Sequence, residues 1–331
     1  ILDEISLVGG EIFLSLLKAI PDGTKLIILG DMGQLESIGC MNLAHDLYES
    51  SFISAVELKE IHRQAQKSGI VLASKAIREK EELFQDKFEG ELVLGELQDM
   101  YFEINPNRQE IKSDVIEQFK KWYNNDIVKD IMDIQILAPV KERGDASVFN
   151  LNQEVQEFLN PSQPLYKKEL KIEVDKQSKE DKSFILREGD KVMCIKNNYK
   201  LFNTQEQEAE VFNGWTGILK EIDVYQECAH IYFPIINDTI IFPMSDLKKD
   251  IILGYASTVH KFQGSSAKVV IGVLDYSTPP NMRTKELLYT AITRAELIGV
   301  IVGQAKAINE AIENSGISDK NTFLVDLLAV A

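Results

Sequence analysis

Two acidic residues follow an apolar start at the beginning of this 331-residue chain, in the run Ile1-Leu2-Asp3-Glu4-Ile5-Ser6. This pattern predicts a strand that ends in a pair of carboxylates. Beside a triphosphate, one carboxylate can bind Mg²⁺, and the other can orient and deprotonate the attacking water. An acidic pair before a helix also stabilises the helix dipole, and the dipeptide alone does not decide between these two roles.

A second polar turn, Gly30-Asp31-Met32-Gly33-Gln34-Leu35, follows the apolar run Lys25–Leu29. The Gln34 amide could detect whether a γ-phosphate is present. Two glycines and an aspartate also make an ordinary tight turn, so the local pattern fits both interpretations.

Two arginines are candidates for stabilising charge on a transferred phosphoryl group. Arg63 lies in Glu60-Ile61-His62-Arg63-Gln64, and Arg294 lies in Thr293-Arg294-Ala295 beside apolar residues. A planar guanidinium matches phosphate oxygens with two hydrogen bonds. Most arginines form surface ion pairs instead, and Arg294 has the stronger case because its surroundings are apolar.

The run from Thr258 to Gly264 places several polar groups directly after a predicted strand. Thr258 and His260 could bind nucleic-acid phosphates, Lys261 adds positive charge, and Gly264 allows close approach of the backbone to a ligand. A polar loop after a core strand is the alternative. Further candidates for the same groove are Pro139, Lys141, Asn150 and Asn213.

The secondary structure predicted around these residues is of the α/β class. Apolar runs predict strands, and those without polar interruption are expected to be covered on both faces. Predicted strands are Lys25–Leu29, Met100–Ile104, Ile134–Ala138, Val269–Leu274 and Gly299–Val302. Predicted helices are Ile12–Ile20, Ile70–Lys80, Ile111–Trp122, Leu151–Phe158 and Lys285–Leu297, and Tyr166–Ser183 is predicted to be a solvated connection.

Short β runs separated by turn residues occupy the stretch from Arg187 to Asp250, with Asn213-Gly214 and Asn237-Asp238 at two of the turns. This spacing predicts a small β-barrel inserted in the α/β unit. An inserted module needs its two ends close together, so Arg187–Asp190 and Leu253-Gly254 are expected to be neighbours.

Composition bounds the possible partners. The net charge of −16 argues mildly against nucleic acid, so binding would require a local basic groove. No apolar run reaches the ~18 residues of a membrane span, so no membrane partner is expected. The three cysteines, Cys40, Cys194 and Cys228, are far apart, which favours reduced, packed thiols and a cytoplasmic location.

Five segments, in this order, resemble the later motifs of a superfamily 1 DNA helicase. The similarity is greatest to the RecD/TraA type, which includes the α-subunit of exodeoxyribonuclease V. Asp3–Ser6 resembles the Walker B motif, and Gly30–Leu35 resembles the third motif. His62–Gln64, Thr258–Ser265 and Tyr289–Ala295 resemble the fourth, fifth and sixth motifs.

The resemblance implies RecA-like P-loop NTPase domains, the first of them truncated, with a small inserted barrel of the SH3 type. The expected boundaries are 1–68 for the first domain, 69–186 and 251–331 for the second, and 187–250 for the barrel. ATP with Mg²⁺ would lie between the two domains, and single-stranded DNA would lie across them. Family members move 5′ to 3′ in DNA recombination and repair, which implies other subunits of such a complex as partners.

The resemblance also implies a role for each matching residue. Asp3 would bind Mg²⁺, Glu4 would be the general base and Gln34 the γ-phosphate sensor. Arg63 and Arg294 would be arginine fingers. The fifth motif would place Gly264 on the nucleotide side and Thr258, His260 and Lys261 on the DNA side.

This chain departs from the family pattern in several places. Glu36-Ser37 stands where prolines are usual, His62 replaces the usual aromatic residue before Arg-Gln, and Phe262 replaces the commoner Ser. The phosphate-binding loop, G-x-x-x-x-G-K-[ST], is absent from the 331 residues, and Ser266 stands where Glu is usual. We therefore expect a C-terminal portion that is inactive by itself. The alternatives are a non-catalytic DNA-binding or docking module of helicase ancestry, and an RNA helicase. No group of carboxylates and lysines suggests a nuclease.

Overall fold

The computed structural model describes residues 1–36, 42–50, 52–58, 65–163, 166–173, 183–316 and 324–330. The helices of this part are α1 (Gly10–Ala19), α2 (Leu43–Glu49), α3 (Gly69–Glu79), α4 (Ile111–Tyr123), α5 (Val148–Leu159), α6 (Met244–Asp250), α7 (Lys285–Thr293), α8 (Ala305–Glu313) and α9 (Leu324–Val330). Within the described ranges, no helix combines the length and apolar character that crossing a membrane requires.

The strands are β1 (Gly90–Leu94), β2 (Met100–Ile104), β3 (Ile134–Ala138), β4 (Glu169–Glu173), β5 (Ser183–Arg187), β6 (Lys191–Cys194), β7 (Asn198–Asn203), β8 (Glu208–Val211), β9 (Thr216–Asp223), β10 (Cys228–Phe233), β11 (Asp238–Pro243), β12 (Ile251–Leu253), β13 (Ala256–Thr258), β14 (Ala267–Leu274) and β15 (Ala295–Gly303).

Internal contacts divide the chain into two compact units. Unit 1 comprises Ile1–Ile111, Gln263–Ser266 and Gly272–Ala331, and unit 2 comprises Lys112–Phe262 and Ala267–Ile271. This division by contacts differs from the domain boundaries expected from the sequence. Those boundaries are based on the resemblance to a helicase family, and they stay a prediction.

The first 30 residues of unit 1 form a small apolar cluster rather than a regular sheet. Leu2 makes a parallel bridge with Ile28, and Ile5, Phe13 and Leu43 form the buried centre of the cluster. The prediction that Lys25–Leu29 is a strand covered on both faces is wrong. Ile28 packs on the cluster, but Ile27 and Leu29 are 45% and 47% exposed, because only alternate side chains turn towards it.

Unit 1 also contains a β layer covered by helices. β1 pairs antiparallel with β2, and β2 pairs parallel with β15. Helix α7 ends at Thr293 and not at Leu297 as predicted. The Thr293 hydroxyl donates back to the carbonyls of Tyr289 and Thr290, and the apolar residues from Ile298 onwards are buried in β15. Residues 295–297 therefore belong to β15 and not to α7.

In unit 2, β13 and β3 run parallel, with Thr258 opposite Ala138. Helix α5 is joined to β13 through Asn152, whose side chain exchanges hydrogen bonds of 2.9 Å with the backbone of Ala256. Both strands end at the same edge because parallel strands share a direction. That edge carries several of the predicted nucleic-acid residues.

Over residues 191–253, all of which the structure describes, seven strands form one antiparallel sheet in the order β12-β6-β9-β10-β11-β7-β8. The Gly254 amide donates to the Lys191 carbonyl at 2.8 Å, so the two ends of this insertion meet as predicted. The solvated connection predicted for Tyr166–Ser183 is wrong in part. β4 pairs antiparallel with β5 there, and Ile172 is buried while the preceding Lys171 is exposed.

Candidate nucleotide and nucleic-acid sites

The paired carboxylates of Asp3 and Glu4 stand at the end of the Leu2 bridge. The Leu2 and Ile5 amides bind the carbonyls of Ile27 and Leu29, which fixes the backbone on both sides of the pair. Glu4 has a left-handed backbone with φ of 53°, and its amide donates to Asp3 Oδ1 at 2.8 Å. Such a backbone is strained for a residue with a Cβ and is found disproportionately at functional sites.

Asp31 is the centre of the second polar turn. Its Oδ1 accepts from the Gly33 amide at 2.9 Å, and its Oδ2 accepts from the Tyr289 hydroxyl at 2.8 Å. Burial, followed by the charge of Asp31, raises the pKa of Tyr289, so this hydroxyl remains a donor. The Gln34 amide group also points to Asp31 Oδ2, at 3.4 Å. Gln34 therefore lies where a hydrogen-bonded carboxylate determines its orientation.

Leu35 joins this turn to two other predicted motifs. Its amide donates to Thr290 Oγ1 at 2.8 Å, and its carbonyl accepts from Gln263 Nε2 at 2.8 Å. Segments that resemble the third, fifth and sixth motifs are thus connected by hydrogen bonds within unit 1.

Arg294 ends helix α7 and is 8% exposed. Its Nη1 donates weakly to the Ser265 carbonyl at 3.4 Å, and its Nε is buried without a hydrogen-bond partner among the described residues. A buried guanidinium N–H without a partner is costly, which makes it suited to an anion that arrives from outside. Gly264 beside it has a φ of +75°, and an added Cβ would lie 3.1 Å from Leu7 Cδ1.

These residues fit part of a nucleotide site. Asp3 offers an exposed carboxylate for Mg²⁺, and the unpartnered Arg294 Nε suits a phosphate oxygen. The cavity lined by Ser6, Asp31 and Gln34 has a volume of about 10 Å³, which is space for about one water molecule and not for a phosphate. Among the described residues, no three His, Cys, Asp or Glu side chains form a metal-binding group.

Not every predicted nucleotide residue can be placed. Arg63 lies outside the described residues. Conversely, sequence reasoning gave no role to Asp31, Gln263, Tyr289 or Thr290, although all lie inside the motif segments. In the sequence, these residues are marked only by their positions, either close after a strand or on the helix that precedes Arg294. Such positions do not indicate which side chains contact each other.

The predicted nucleic-acid residues lie in unit 2. Thr258 ends β13, Pro139 follows β3, and the register that pairs Thr258 with Ala138 brings them to one edge. His260 and Lys261 follow Thr258 in a 3-10 turn (Val259–Phe262). Burial, and then the like charge of Lys141, lower the pKa of Lys261, so the two positive charges influence each other. Like charges held together favour an anionic ligand.

The barrel turn Asn213-Gly214 belongs to the same region. A Cβ on Gly214 would lie 3.2 Å from the Lys261 carbonyl, and Gly214 has a φ of +91°. The Asn213 amide donates to Asn197 Oδ1 at 2.8 Å. The turn is thereby fixed from the barrel side.

Asn150 also has a structural role in the loop before α5. Its side-chain amide donates to the carbonyls of Gly144 and Asp145, at 3.1 Å each. Both amide hydrogens are therefore used to shape the loop before α5, and only the oxygen remains for a ligand.

Three family models match this chain. An AAA domain matches residues 1–89, the SH3 domain of ATP-dependent RecD-like DNA helicases matches residues 151–233, and the C-terminal domain of UvrD-like helicases matches residues 253–301. The order of these matches agrees with the order of the motif segments.

Two relatives illustrate the similarity. The chain is 27% identical over 311 residues to the ATP-dependent RecD2 DNA helicase of Deinococcus radiodurans, covering 93% of this chain and 36% of the relative. It is 27% identical over 326 residues to the RecBCD enzyme subunit RecD of Mycolicibacterium smegmatis, covering 96% of this chain and 52% of that subunit. The chain thus spans about a third to a half of these relatives.

The crystal structure of the Pif1 helicase from Candida albicans has the same fold, with a TM-score of 0.50 and 15% identity over 99% of this chain and 74% of that one. The expected fold class, RecA-like α/β with a barrel of the SH3 type, is confirmed. The family models and the RecD relatives together show that this chain is similar to RecD-type superfamily 1 helicases.

Proposed function

We propose that this chain is the part of an ATP-dependent DNA helicase that senses the γ-phosphate and binds single-stranded DNA. The observation that carries the proposal is the hydrogen-bonded connection of Asp31 to Tyr289 and of Leu35 to Thr290 and Gln263. A docking module has no need to connect three motif segments in this way. ATP and Mg²⁺ are the proposed cofactors, and the cytoplasm is the proposed location of the protein.

The nucleotide residues divide the work of hydrolysis. Asp3 would hold Mg²⁺ and Glu4 would accept the proton of the attacking water. Gln34 would bind the γ-phosphate. Because Gln34 also contacts Asp31, a change in the orientation of the Gln34 side chain would affect the hydrogen bond between Asp31 and Tyr289. Arg294 would supply its free Nε to the phosphate oxygens, and Gly264 would leave space beside them. Arg63 is proposed as a second finger from its motif alone.

The nucleic-acid residues would hold the phosphates of a single strand. The pair of Lys141 and Lys261 supports this role, together with Thr258, His260, Pro139 and Asn213 around them. The chain is acidic in total, so this local basic group matters more than the net charge. Movement in the 5′-to-3′ direction and partnership with other subunits of a recombination or repair complex rest on the family resemblance.

The first test is binding of a fluorescent single-stranded oligonucleotide at several salt concentrations. We expect measurable affinity that falls with salt, and a smaller salt slope for Lys141→Ala and Lys261→Ala. Absence of binding at low salt would remove the DNA part of the proposal. A tighter complex with single-stranded RNA of the same length would favour the RNA-helicase alternative.

The second test concerns hydrolysis. Because the 331 residues lack a phosphate-binding loop, we expect no ATPase activity above background from them alone. In a protein that carries these residues together with such a loop, Glu4→Gln should abolish hydrolysis and leave nucleotide binding nearly intact, since an amide cannot take the proton. Normal DNA-stimulated hydrolysis by Glu4→Gln would instead support the non-catalytic alternative.

A further inference from the structure

Tyr199 is an exposed aromatic residue that the predicted motifs do not include. It lies on β7 and is 58% exposed. A single exposed tyrosine is common on protein surfaces and needs no explanation by itself. Its backbone, its packing and its neighbours distinguish this one.

The backbone projects Tyr199 away from the regular ladder. On β7 the pairing passes from Asn198 to Leu201, while on β8 it passes from Val211 to Ala209, so β7 contains one extra residue. Such a β-bulge bends the strand and redirects a side chain, and bulges are frequent beside binding sites. Tyr199 lies within this bulge.

Aromatic packing and one hydrogen bond fix the ring. Tyr199 meets Phe212 edge to face with ring centroids 5.9 Å apart, and Phe212 meets Trp215 at 5.2 Å. Trp215 in turn packs on Phe233, which is fully buried in the barrel. The Tyr199 hydroxyl accepts from Asn197 Nδ2 at 3.0 Å. The ring is thus exposed and immobilised at once, which reduces the entropy lost when a ligand stacks on it.

The same contacts connect Tyr199 to the basic group of unit 2. Asn197, which binds the tyrosine hydroxyl, also accepts from the Asn213 amide at 2.8 Å. The next residue, Gly214, lies against the Lys261 carbonyl, and Lys261 feels the charge of Lys141. Proteins bind single strands without sequence preference by combining a positively charged groove with aromatic side chains on which bases stack, since every base has a π-face.

We propose that Tyr199 is a stacking platform for one base of the single strand whose phosphates Lys141 and Lys261 bind. This inference rests on the proposed DNA function and adds a site to it. Its chemical signature differs from that of the lysines: stacking requires a base, whereas phosphate binding requires only the charged backbone.

The test compares oligo(dT) with an abasic oligonucleotide that has the same number of phosphates. Tyr199→Ala should weaken oligo(dT) binding by about tenfold, a change within the range for loss of one stacked base, and leave both the salt slope and abasic binding unchanged. Tyr199→Phe should bind like the unmodified chain. Tyr225→Ala is the matched control, because Tyr225 is 98% exposed at the turn between β9 and β10.

Two further results make the test decisive. Tyr199→Trp should retain affinity, and its fluorescence should fall on addition of oligo(dT) but not of the abasic strand; this readout does not depend on the stability of the alanine variant. If Lys141→Ala and Lys261→Ala weaken binding while Tyr199→Ala does not, the platform is refuted and the DNA proposal stands. If the unmodified chain binds neither oligonucleotide, both proposals fail.

Discussion

The Tyr289 hydroxyl donates to Asp31 Oδ2 at 2.8 Å, and this bond joins helix α7 to a turn 258 residues earlier in the chain. It is supported by the bond from the Leu35 amide to Thr290 Oγ1. Two adjacent residues of α7 therefore hold both ends of the turn that carries Gln34. The orientation of the proposed phosphate sensor depends on the helix that ends in Arg294.

Removing the Tyr289 hydroxyl should loosen this turn. A hydrogen bond to a charged acceptor contributes about 1.5–3 kcal/mol. Tyr289→Phe should therefore speed amide exchange at Gly33 and Leu35 by roughly tenfold or more. Hydrogen exchange followed by mass spectrometry of peptides from residues 30–36 measures this, with Tyr225→Phe as a control at an exposed hydroxyl. Equal exchange in both variants would show that the bond does not restrain the turn.

Glycine at position 4 should relieve backbone strain. Glu4 has a φ of 53°, and a left-handed residue with a Cβ costs about 1 kcal/mol or more. Glycine also increases the entropy of the unfolded chain, which offsets part of this gain. We therefore expect Glu4→Gly to leave the free energy of unfolding unchanged or to raise it by up to about 1 kcal/mol. Gln98→Gly, at a φ of 51°, is the control without a proposed role. Urea denaturation measures the free energy of unfolding of both variants. A clear loss of stability in Glu4→Gly but not in Gln98→Gly would show that the Glu4 backbone is not strained.

The buried Lys191 should make stability depend on pH. Its Nζ donates to the carbonyls of Ile131 and Ile134 at 3.1 and 2.8 Å, and burial lowers its pKa from 10.5 to about 7. Between these two values the unfolded chain binds more protons than the folded chain, so the free energy of unfolding should rise with pH from about 7 towards 10.5.

Lys191→Met should remove this rise, whose slope is at most about 1.4 kcal/mol per pH unit. Lys196→Met is the control, because the Lys196 side chain is 71% exposed. Denaturation curves at pH 6, 7, 8 and 9 (roughly the window of the shift) compare the three proteins. A parallel pH dependence in the unmodified chain and in Lys191→Met would show that the lysine is not the cause.

The motif segments could be predicted from the sequence, because strand ends followed by polar residues mark functional loops. Thr258 and Pro139 could be predicted to lie in one groove because each follows a predicted strand, and the parallel register of β13 and β3 brings them to one edge. The partner of Asp31 could not be predicted, since nothing local at Asp31 indicates a tyrosine far along the chain. The end of α7 was also missed, because residues 295–297 belong to β15, and the pairing of that strand with distant segments is not visible in the local sequence. The bulge at Tyr199 likewise depends on a register that sequence periodicity does not show.

Arg294 should be distinguishable from a structural arginine by a matched pair of variants. Arg283 is also 8% exposed in unit 1, and within the described part of the chain its Nε likewise lacks a hydrogen-bond partner. However, Arg283 forms an ion pair with Glu310 at 3.1 Å and donates to the Thr278 carbonyl at 2.6 Å. In a protein with a complete phosphate loop, Arg294→Ala should lower ATP hydrolysis by about 10³-fold with little change in nucleotide binding, as expected of a finger.

Arg294→Lys should recover little of this activity, because an ammonium group cannot reproduce the two-pronged contact of a guanidinium. Arg283→Lys should lower thermal stability through its ion pair while its hydrolysis per folded molecule stays close to normal. Single-turnover hydrolysis and thermal unfolding of the same preparations separate the two effects. Equal losses of hydrolysis in the Arg294 and Arg283 variants would show that Arg294 acts through folding alone, because only a residue that meets the phosphate should affect hydrolysis beyond its effect on stability.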